Sequence, residues 1–377
     1  MAVPVGHGAL IGDVLAGTQL LLSLHPHTSS MRLRPLRDRA SPLGIAIALM
    51  VCLVAAMTPT ASVDAEQVAL ATTTGAATLV YNQNFPDPSV LVADHTYYAY
   101  STTTDEENVP VIESSDLTNW RAIGDAMSIL PSWATEGTVW APSVTTAPSG
   151  GYEIFFNAYD QAEGIMCLGR ATSLSPLGPF VDVSEAPFLC QPSAGGSIDP
   201  SVYRSGGADY LVWKSDGEGR QPQVIVSGRL TADDSRLVGE PTDLLSANQP
   251  WEDGVVEGPG FVDISGALYL FFSGNEWSTA KYAIGATTCA SPLGPCAAAA
   301  VQQVNISPSI VTGAGGPSFF VTQGHTYMAF AAWTDGVVGN ELGHRALFLT
   351  VLDHQQDVAT FVAAPAVNVK RSGDAST

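Results

Sequence analysis

The stretch Ile198-Asp199-Pro200-Ser201-Val202 contains one of five copies of a short pattern, x-Pro-(Ser/Gly)-(Val/Phe), spread along the chain. The prolines of the five copies are separated by 54, 58, 59 and 58 residues, and they are Pro88, Pro142, Pro200, Pro259 and Pro317. A period this regular is typical of equal supersecondary units that stack or close into a ring. The content of one unit therefore decides the fold.

Each copy of the pattern is followed by two segments that suit short β-strands. They are rich in β-branched and aromatic residues and are bounded by Gly, Pro, Asn and Asp. The aromatic segments come first, at residues 97–101, 152–157, 210–214, 268–273 and 327–332. The second set lies at residues 109–113, 166–171, 223–227, 281–286 and 346–351. No window shows a sustained helical stripe of apolar residues, so the sequence predicts an all-β fold.

Four short antiparallel strands per unit, repeated five times, predict a five-bladed β-propeller. Such a fold closes radially and so protects its sheet edges. A strand at Thr78–Tyr81 is expected to pair with the C-terminal blade and to close the ring. A solenoid is the alternative at this period, but it would need atypical polar caps, which the sequence does not show.

The N-terminal part of the chain resembles an export signal. A basic segment begins at Arg32, an apolar run covers residues 43–57, and small residues precede a plausible cleavage site after Ala65. The run is shorter than the roughly 20 residues that span a membrane, although a membrane anchor is the alternative. We therefore predict an N-terminal extension with a signal peptide at residues 1–65, and a secreted propeller at 66–377 without stable membrane insertion.

The formal net charge of −21 limits the partners of this chain. Binding to nucleic-acid phosphates requires clustered Lys and Arg, so a nucleic-acid partner is not expected. An acidic surface of this kind suits a soluble protein that handles neutral ligands. We expect a monomer that needs no cofactor.

Four cysteines remain after the predicted cleavage, namely Cys167, Cys190, Cys289 and Cys296. An even number in an exported protein indicates disulfides, and pairing of sequence neighbours gives Cys167–Cys190 and Cys289–Cys296. Three connectivities are possible. A zinc site is the alternative, but no CxxC spacing supports it.

The repeat also predicts where the chemistry lies. The first strand of each propeller blade lines the central axis, so residues at the start of those strands meet at one mouth of the channel. The residue before each repeat proline, with its predecessor, occupies this position. The five pairs are Pro86-Asp87, Trp140-Ala141, Ile198-Asp199, Glu257-Gly258 and Gly315-Gly316. Three blades therefore place a carboxylate at the axis, and such crowding raises the pKa of at least one of them.

Each of these acids also has a simpler explanation. Asp beside Pro is a common turn former, which accounts for Asp87 or Asp199 taken alone, and Glu257 could be a solvated loop residue. Three carboxylates in matching positions of an independently defined repeat are unlikely to be three unrelated turns. We therefore interpret Asp87, Asp199 and Glu257 as catalytic.

These motifs resemble the successive blade motifs of glycoside hydrolase family 43. The resemblance rests on Phe85-Pro86-Asp87-Pro88, Trp140-Ala141-Pro142, Ile198-Asp199-Pro200 and Glu257-Gly258-Pro259, and it extends over roughly residues 80–355. It implies a five-bladed propeller that hydrolyses arabinans, xylans or related glycans with inversion. It further implies that Asp87 is the general base, Glu257 the general acid, and Asp199 the residue that tunes and orients the acid.

Two further residues are predicted to contact a sugar. Trp140 occupies the axial position of the second blade and offers a flat apolar face, although a tryptophan is usually largely buried in the core. Arg345 matches an arginine that lies near the substrate in the resembled family, and it could equally be a structural partner for one of the acids.

The fifth blade departs from the resembled family. Many members carry a histidine in a Gly-x-Gly-His segment, where it helps to hold a central calcium or its water. This chain has Gly313-Ala314-Gly315-Gly316 instead, and His344 is a weak substitute. No metal is therefore predicted.

Two other functions remain open. Fructan-cleaving propellers carry Asn immediately before the first Asp-Pro, whereas this chain has Phe85-Pro86 there. A carbohydrate-binding propeller without catalysis is the second alternative. Loops set specificity in such folds, so the glycan and the endo or exo mode stay undecided.

Overall fold

The computed structural model describes residues 77–217, 222–306, 311–334, 336–339, 343–353 and 360–362. The predicted signal peptide, residues 1–65, lies outside these residues. Almost all regular structure in the described part is β-strand, together with short 3-10 helices at Pro192–Ala194, Pro250–Glu252 and Ala298–Ala300. Within these ranges, no helix has the length and apolar character that crossing a membrane requires.

The strands form five antiparallel sheets, one for each copy of the repeat. Blade 1 consists of β2 (Ser89–Ala93), β3 (Thr96–Tyr100), β4 (Pro110–Ser114) and β5 (Arg121–Asp125). Blade 2 consists of β6 (Trp140–Thr146), β7 (Tyr152–Asp160) and β8 (Ile165–Ser173). Blade 3 consists of β9 (Ser197–Ser205), β10 (Ala208–Ser215), β11 (Val224–Leu230) and β12 (Leu237–Ser246).

The last two sheets follow the same order. Blade 4 consists of β13 (Glu257–Ile264), β14 (Ala267–Gly274), β15 (Ala283–Cys289) and β16 (Gln302–Gln303). Blade 5 contains β17 (Thr312–Thr322), β18 (His325–Trp333) and β19 (Arg345–Asp353), which also pairs with β20 (Thr360–Val362). The predicted all-β, five-bladed propeller is thus confirmed.

The ring closes through its N-terminal strand. β1 (Thr78–Tyr81) pairs antiparallel with β19, with Thr78 opposite Leu349 and Leu79 opposite Phe348. The sheet of blade 5 therefore joins both ends of the propeller, as the position of β1 in the sequence predicts. This pairing gives the edge of β19 a partner strand.

Blade 2 corrects the expectation of four strands in every unit. Its sheet has three strands among the described residues, and the segment after β8 forms only isolated bridges, Thr172 with Val181 and Leu168 with Leu189. Pro187 lies in this segment, and a proline cannot donate a backbone hydrogen bond to a β-ladder. The segment therefore crosses the sheet edge without continuous pairing.

The hydrophobic core lies between neighbouring blades. Five clusters of buried side chains occupy the five blade junctions, including the junction of blade 5 with blade 1. Successive residues of a central strand point to opposite faces, so Phe155 packs toward blade 3 whereas Phe156 packs toward blade 1. Central strands are consequently buried on both sides, which explains their continuous apolar sequence.

The serine of the repeat links neighbouring blades. Ser89 Oγ accepts a hydrogen bond from Val144 N at 3.0 Å, and Ser143 Oγ accepts one from Val202 N at 3.2 Å. Each bond joins the first strand of one blade to the first strand of the next. The repeated Pro-Ser pair thus helps to fix the spacing of the blades around the axis.

Both predicted disulfides are present in the structure, Cys167–Cys190 and Cys289–Cys296. The first ties β8 to the segment that lacks the fourth strand. Among the described residues, Asp160, Cys167 and Cys190 have the spacing of a metal site, but both sulfurs belong to the disulfide. This bonding removes the thiolates that a zinc site would need.

Candidate active site

The residue before each repeat proline adopts an unusual backbone conformation. All five have a positive φ, which is 51° at Asp87, 27° at Ala141, 54° at Asp199, 55° at Gly258 and 64° at Gly316. Residues with a side chain rarely adopt this conformation, which typically costs about 1–3 kcal/mol. The shared angle shows that the five blades turn into the axis in the same way, and two of the three strained residues are the predicted aspartates.

A large cavity opens at this end of the axis. Its volume is about 1690 Å³, and its wall includes all five residues that the sequence predicts to bind or act on a substrate. These residues are Asp87, Trp140, Asp199, Glu257 and Arg345. The structure therefore brings together side chains from blades 1, 2, 3, 4 and 5.

Asp87 forms a two-pronged ion pair with Arg345. The guanidinium donates from Nη1 to Oδ1 and from Nη2 to Oδ2, each at 3.1 Å. Thr102 Oγ1 also donates to Asp87 Oδ2 at 2.9 Å. Arg345 is buried, and a paired guanidinium stabilises the ionised form of a carboxylate. The bonds from Arg345 and Thr102 thus fix the position of the Asp87 carboxyl group.

Glu257 has two donors that sequence reasoning missed. Lys214 Nζ donates to Oε2 at 3.0 Å, and Tyr282 OH donates to Oε1 at 2.8 Å. Burial lowers the pKa of Lys214, but the charges of Glu257 and Asp199 outweigh this effect and the net shift is upward. Burial also raises the pKa of Tyr282 far above its usual range. Glu257 is therefore held between an ammonium and a neutral hydroxyl.

Asp199 has a different environment. Its Oδ2 accepts a hydrogen bond from Gly258 N at 2.9 Å, next to Glu257 in the chain, and its own N–H donates to Asn157 Oδ1 at 3.0 Å. Burial, followed by the charge of Glu257, raises the pKa of Asp199 from 3.8 to about 7. Asp199 is thus the acid of the site that gains a proton near neutral pH.

The two glycines of blade 5 make room for the site. A Cβ on Gly316 would lie 2.8 Å from Asp87 Oδ1, and a Cβ on Gly315 would lie 1.8 Å from the ring of Tyr282. A histidine at Gly316 would therefore displace Asp87. His344 also lines the cavity, but its ring bonds to Asn82 Oδ1 at 3.0 Å. These residues do not fit the calcium site of the resembled family.

Two tryptophans line the cavity. Trp140 is 38% exposed and lines the cavity, so it does not lie in the core. Trp277 also lines the wall, where the Arg345 guanidinium carbon lies 5.1 Å from its ring centroid. The ring of Trp333 stacks on the ring of Trp277, with their centroids 6.3 Å apart, and so supports it from behind the cavity wall. Sequence reasoning found Trp140 through the repeat but missed Trp277, which lies in a loop.

The comparison with protein families decides the classification. The model of the family described as Glycosyl hydrolases family 43 matches residues 78–358, which is more than half of the chain. The chain belongs to glycosyl hydrolases family 43. A curated relative, a xylan 1,3-beta-xylosidase from Vibrio sp, is 27% identical over 198 residues. That match spans 49% of this chain and 35% of the length of the relative.

Solved structures of glycan-cleaving enzymes share this fold, and one of them is described as a family-43 glycoside hydrolase. An endo-1,4-beta-xylanase from Bacteroides thetaiotaomicron VPI-5482 is 26% identical with a TM-score of 0.62, over 77% of this chain and 97% of that chain. A thermostable family-43 glycoside hydrolase is 23% identical with a TM-score of 0.63, over 74% of this chain and 92% of that chain. An endo-arabinase from the same Bacteroides strain is 21% identical, with a TM-score of 0.59, over 76% of this chain and 99% of that chain.

Proposed function

We propose that this family 43 protein is a secreted glycoside hydrolase that cleaves arabinose- or xylose-containing polysaccharides or oligosaccharides with inversion at the anomeric carbon. The observation that carries the proposal is the meeting of Asp87, Asp199 and Glu257 at one cavity, each with different partners. Acids with distinct environments can take distinct roles in one reaction.

Asp87 is suited to be the general base. It is paired with the Arg345 guanidinium, and a carboxylate can remove a proton from water. The water oxygen then bonds to the anomeric carbon while the glycosidic bond breaks. Glu257 gives its proton to the departing sugar oxygen, so both products are neutral. Asp199 acts next to Glu257 and controls its charge and orientation.

The arrangement of the blades favours inversion over retention. Asp87 belongs to blade 1 and Glu257 to blade 4, and blade 5 lies between them with Gly315 and Gly316 at its axial position. An inverting enzyme needs its acid and base about 6.5–9.5 Å apart to accommodate a water, whereas retention needs about 5 Å. Because blade 5 has no side chains at its axial position, it leaves space between Asp87 and Glu257 for the water that inversion requires.

The proposed substrate class comes from the relatives and from the wall of the cavity. Three of the proteins matched above act, by their names, on xylan or arabinan, which are polymers of pentose sugars. Trp140 and Trp277 offer apolar faces of the sort that bind sugar rings. Asp105, Glu106 and Glu107 line the same cavity, which disfavours acidic glycans and favours neutral ones.

Secretion is proposed from two observations. The basic and apolar segments that precede Ala65 have the order of a signal peptide. The two disulfides require an oxidising compartment in most organisms. Fractionation of expressing cells, with sequencing of the mature N-terminus, would test export and the cleavage site together.

The decisive experiment is a screen of the purified mature protein on aryl arabinofuranosides, aryl xylosides, linear arabinan and xylan, with proton NMR of the first product. We expect turnover on at least one pentoside and a product of inverted anomeric configuration. A product of retained configuration would remove Asp87 from the role of general base. Binding of these glycans without turnover would instead support the carbohydrate-binding alternative.

A further inference from the structure

The charged groups at the axis form a set with one acid in excess. We define the axial cluster as Asp87, Asp199, Glu257, Lys214 and Arg345. Arg345 pairs with Asp87, and Lys214 pairs with Glu257. Among the described residues, Asp199 forms no ion pair and accepts a hydrogen bond only from the backbone N–H of Gly258. Both cations are thus engaged in hydrogen-bonded ion pairs, and Asp199 experiences only the longer-range charge of Lys214.

Lys214 is a buried cation in the wall of the cavity. Its side chain is 4% exposed, and its Nζ lies 3.0 Å from Glu257 Oε2 and 3.9 Å from Asp216 Oδ1. An ammonium at this distance in a buried site strongly favours the ionised form of its partner. A general acid must enter the reaction with its proton. The ion pair therefore opposes the state of Glu257 that the proposed reaction needs.

We propose that Lys214 is a positioning residue that acts through Glu257. Its ammonium fixes the Glu257 carboxyl group through the bond to Oε2, and we expect this charge to limit the pH range over which Glu257 can donate a proton. This inference rests on the proposed function, because it assigns the control of the acid in that reaction.

The other groups near Glu257 do not replace Lys214 in this role. Tyr282 donates a neutral hydrogen bond, which favours a carboxylate less than a full positive charge does. Arg345 is engaged by Asp87, and Asp216 Oδ1 lies 3.9 Å from Lys214 Nζ. Asp87 and Asp199 are acids, whose charges oppose ionisation of Glu257. Among the described residues, Lys214 is thus the cation that donates a hydrogen bond to Glu257.

The first test compares the pH dependence of kcat/KM for the wild type, Lys214→Met and Lys281→Met. Lys281 is exposed and lies outside the cavity wall, so its variant makes the same charge change away from Glu257. We expect the alkaline limb of Lys214→Met to move to higher pH by about one unit or more, because the charge that favours the carboxylate is gone. Lys281→Met should keep the wild-type limb. An alkaline limb that does not move in Lys214→Met would overturn the proposal.

Two further variants test the proposal even if Lys214→Met does not fold. Lys214→Gln keeps a hydrogen-bond donor for Glu257 without the charge, and it should show the same upward movement as Lys214→Met. Lys214→Arg keeps the charge, and its alkaline limb should stay at the wild-type position. A purely structural role would instead lower the melting temperature of the neutral variants and leave the shape of the pH profile unchanged.

A measurement without substrate separates this proposal from the proposed function. Carbon-13 NMR of protein labelled at glutamate carboxyls follows the titration of Glu257, which the Glu257→Gln variant assigns. We expect the midpoint to move to higher pH in Lys214→Met. If it moves but no pentoside is cleaved, the proposed function fails and the role of Lys214 stands. If glycosides are cleaved and the midpoint is unchanged, the role of Lys214 fails.

Discussion

Two regions of this molecule contain the same set of charges and differ in what surrounds them. The axial cluster has three acids and two cations. A second cluster, between blades 2 and 3, also has three acids and two cations. We call it the junction cluster, and its members are Glu153, Asp209, Asp234, Arg170 and Arg204. Arg170 donates to Glu153 at 2.8 Å and Arg204 donates to Asp209 at 2.8 Å, whereas Asp234 has only a longer ion pair, 3.8 Å from its Oδ2 to Arg204 Nη2.

Each cluster has one acid that forms no close ion pair, Asp199 at the axis and Asp234 at the junction, and the pKa of each is raised. Burial, followed by interactions with Glu153 and Asp209, raises the pKa of Asp234 from 3.8 to about 8. Both oxygens of Asp234 and Oε1 of Glu153 are buried without a hydrogen-bond partner. A proton on Asp234 would supply a donor for Glu153. A raised pKa is therefore a consequence of an unbalanced buried cluster, wherever it lies.

Access to the cavity is what separates the two clusters. All five residues of the axial cluster line the cavity of about 1690 Å³, and none of the five residues of the junction cluster does. A perturbed carboxyl can act on a substrate only if a substrate can reach it. A raised pKa thus indicates function only together with an opening, and matched substitutions in the two clusters test this directly.

The largest contrast is expected between Glu257→Gln and Glu153→Gln. Loss of a general acid typically costs about 100- to 10,000-fold in rate, so Glu257→Gln should lose turnover while its melting temperature stays near that of the wild type. Glu153→Gln should keep turnover and lose about 1–3 kcal/mol of stability, because the charged bond from Arg170 weakens. Steady-state kinetics and calorimetry on both variants give the comparison. Loss of turnover in Glu153→Gln would show that the clusters are coupled.

The sequence could predict much of this architecture because the repeat fixes equivalent positions. Asp87, Asp199 and Glu257 were found through their place beside the repeat prolines, without knowledge of contacts. Lys214 and Tyr282 could not be found in this way, because Lys214 lies in the second strand of its blade and Tyr282 lies directly before the third. The sequence alone does not show that these side chains reach the axis. A lysine at the end of an otherwise apolar strand was the available signal.

The sequence also could not predict which of the three axial acids has the raised pKa. Crowding of three acids predicts that some pKa is raised, and the structure shows that it is the pKa of Asp199. This outcome depends on where Lys214 and Arg345 place their charges. The missing fourth strand of blade 2 is a similar case. The repeat predicts equal units, but the segment after β8, which contains Pro187, forms only isolated bridges.

A smaller contrast is expected between Arg345→Lys and Arg170→Lys. A lysine cannot reproduce the two-pronged pairing of an arginine with a carboxylate. Arg345→Lys should therefore reduce kcat/KM by about 10- to 100-fold, which corresponds to a lost charged hydrogen bond to Asp87. Arg170→Lys changes the same chemistry beside Glu153 and should alter only the melting temperature. If Arg345→Lys and Arg170→Lys lost kcat/KM equally, the view that only the axial cluster takes part in catalysis would be wrong.

The smallest effect concerns stability as a function of pH. The folded-state pKa of Asp234 is raised, so its contribution to stability is complete below the usual pKa near 3.8 and is lost as pH rises through about 8. Asp234→Asn removes this loss, because its amide can donate to Glu153 at any pH. The melting temperature of Asp234→Asn relative to the wild type should therefore increase between about pH 5 and pH 9, with kcat unchanged. Asp199→Asn should show the same trend with pH, but with reduced turnover, since its carboxyl faces the cavity. If the melting-temperature difference between Asp234→Asn and the wild type did not change with pH, Asp234 would stay ionised across this range. The two clusters would then resemble each other only in their composition.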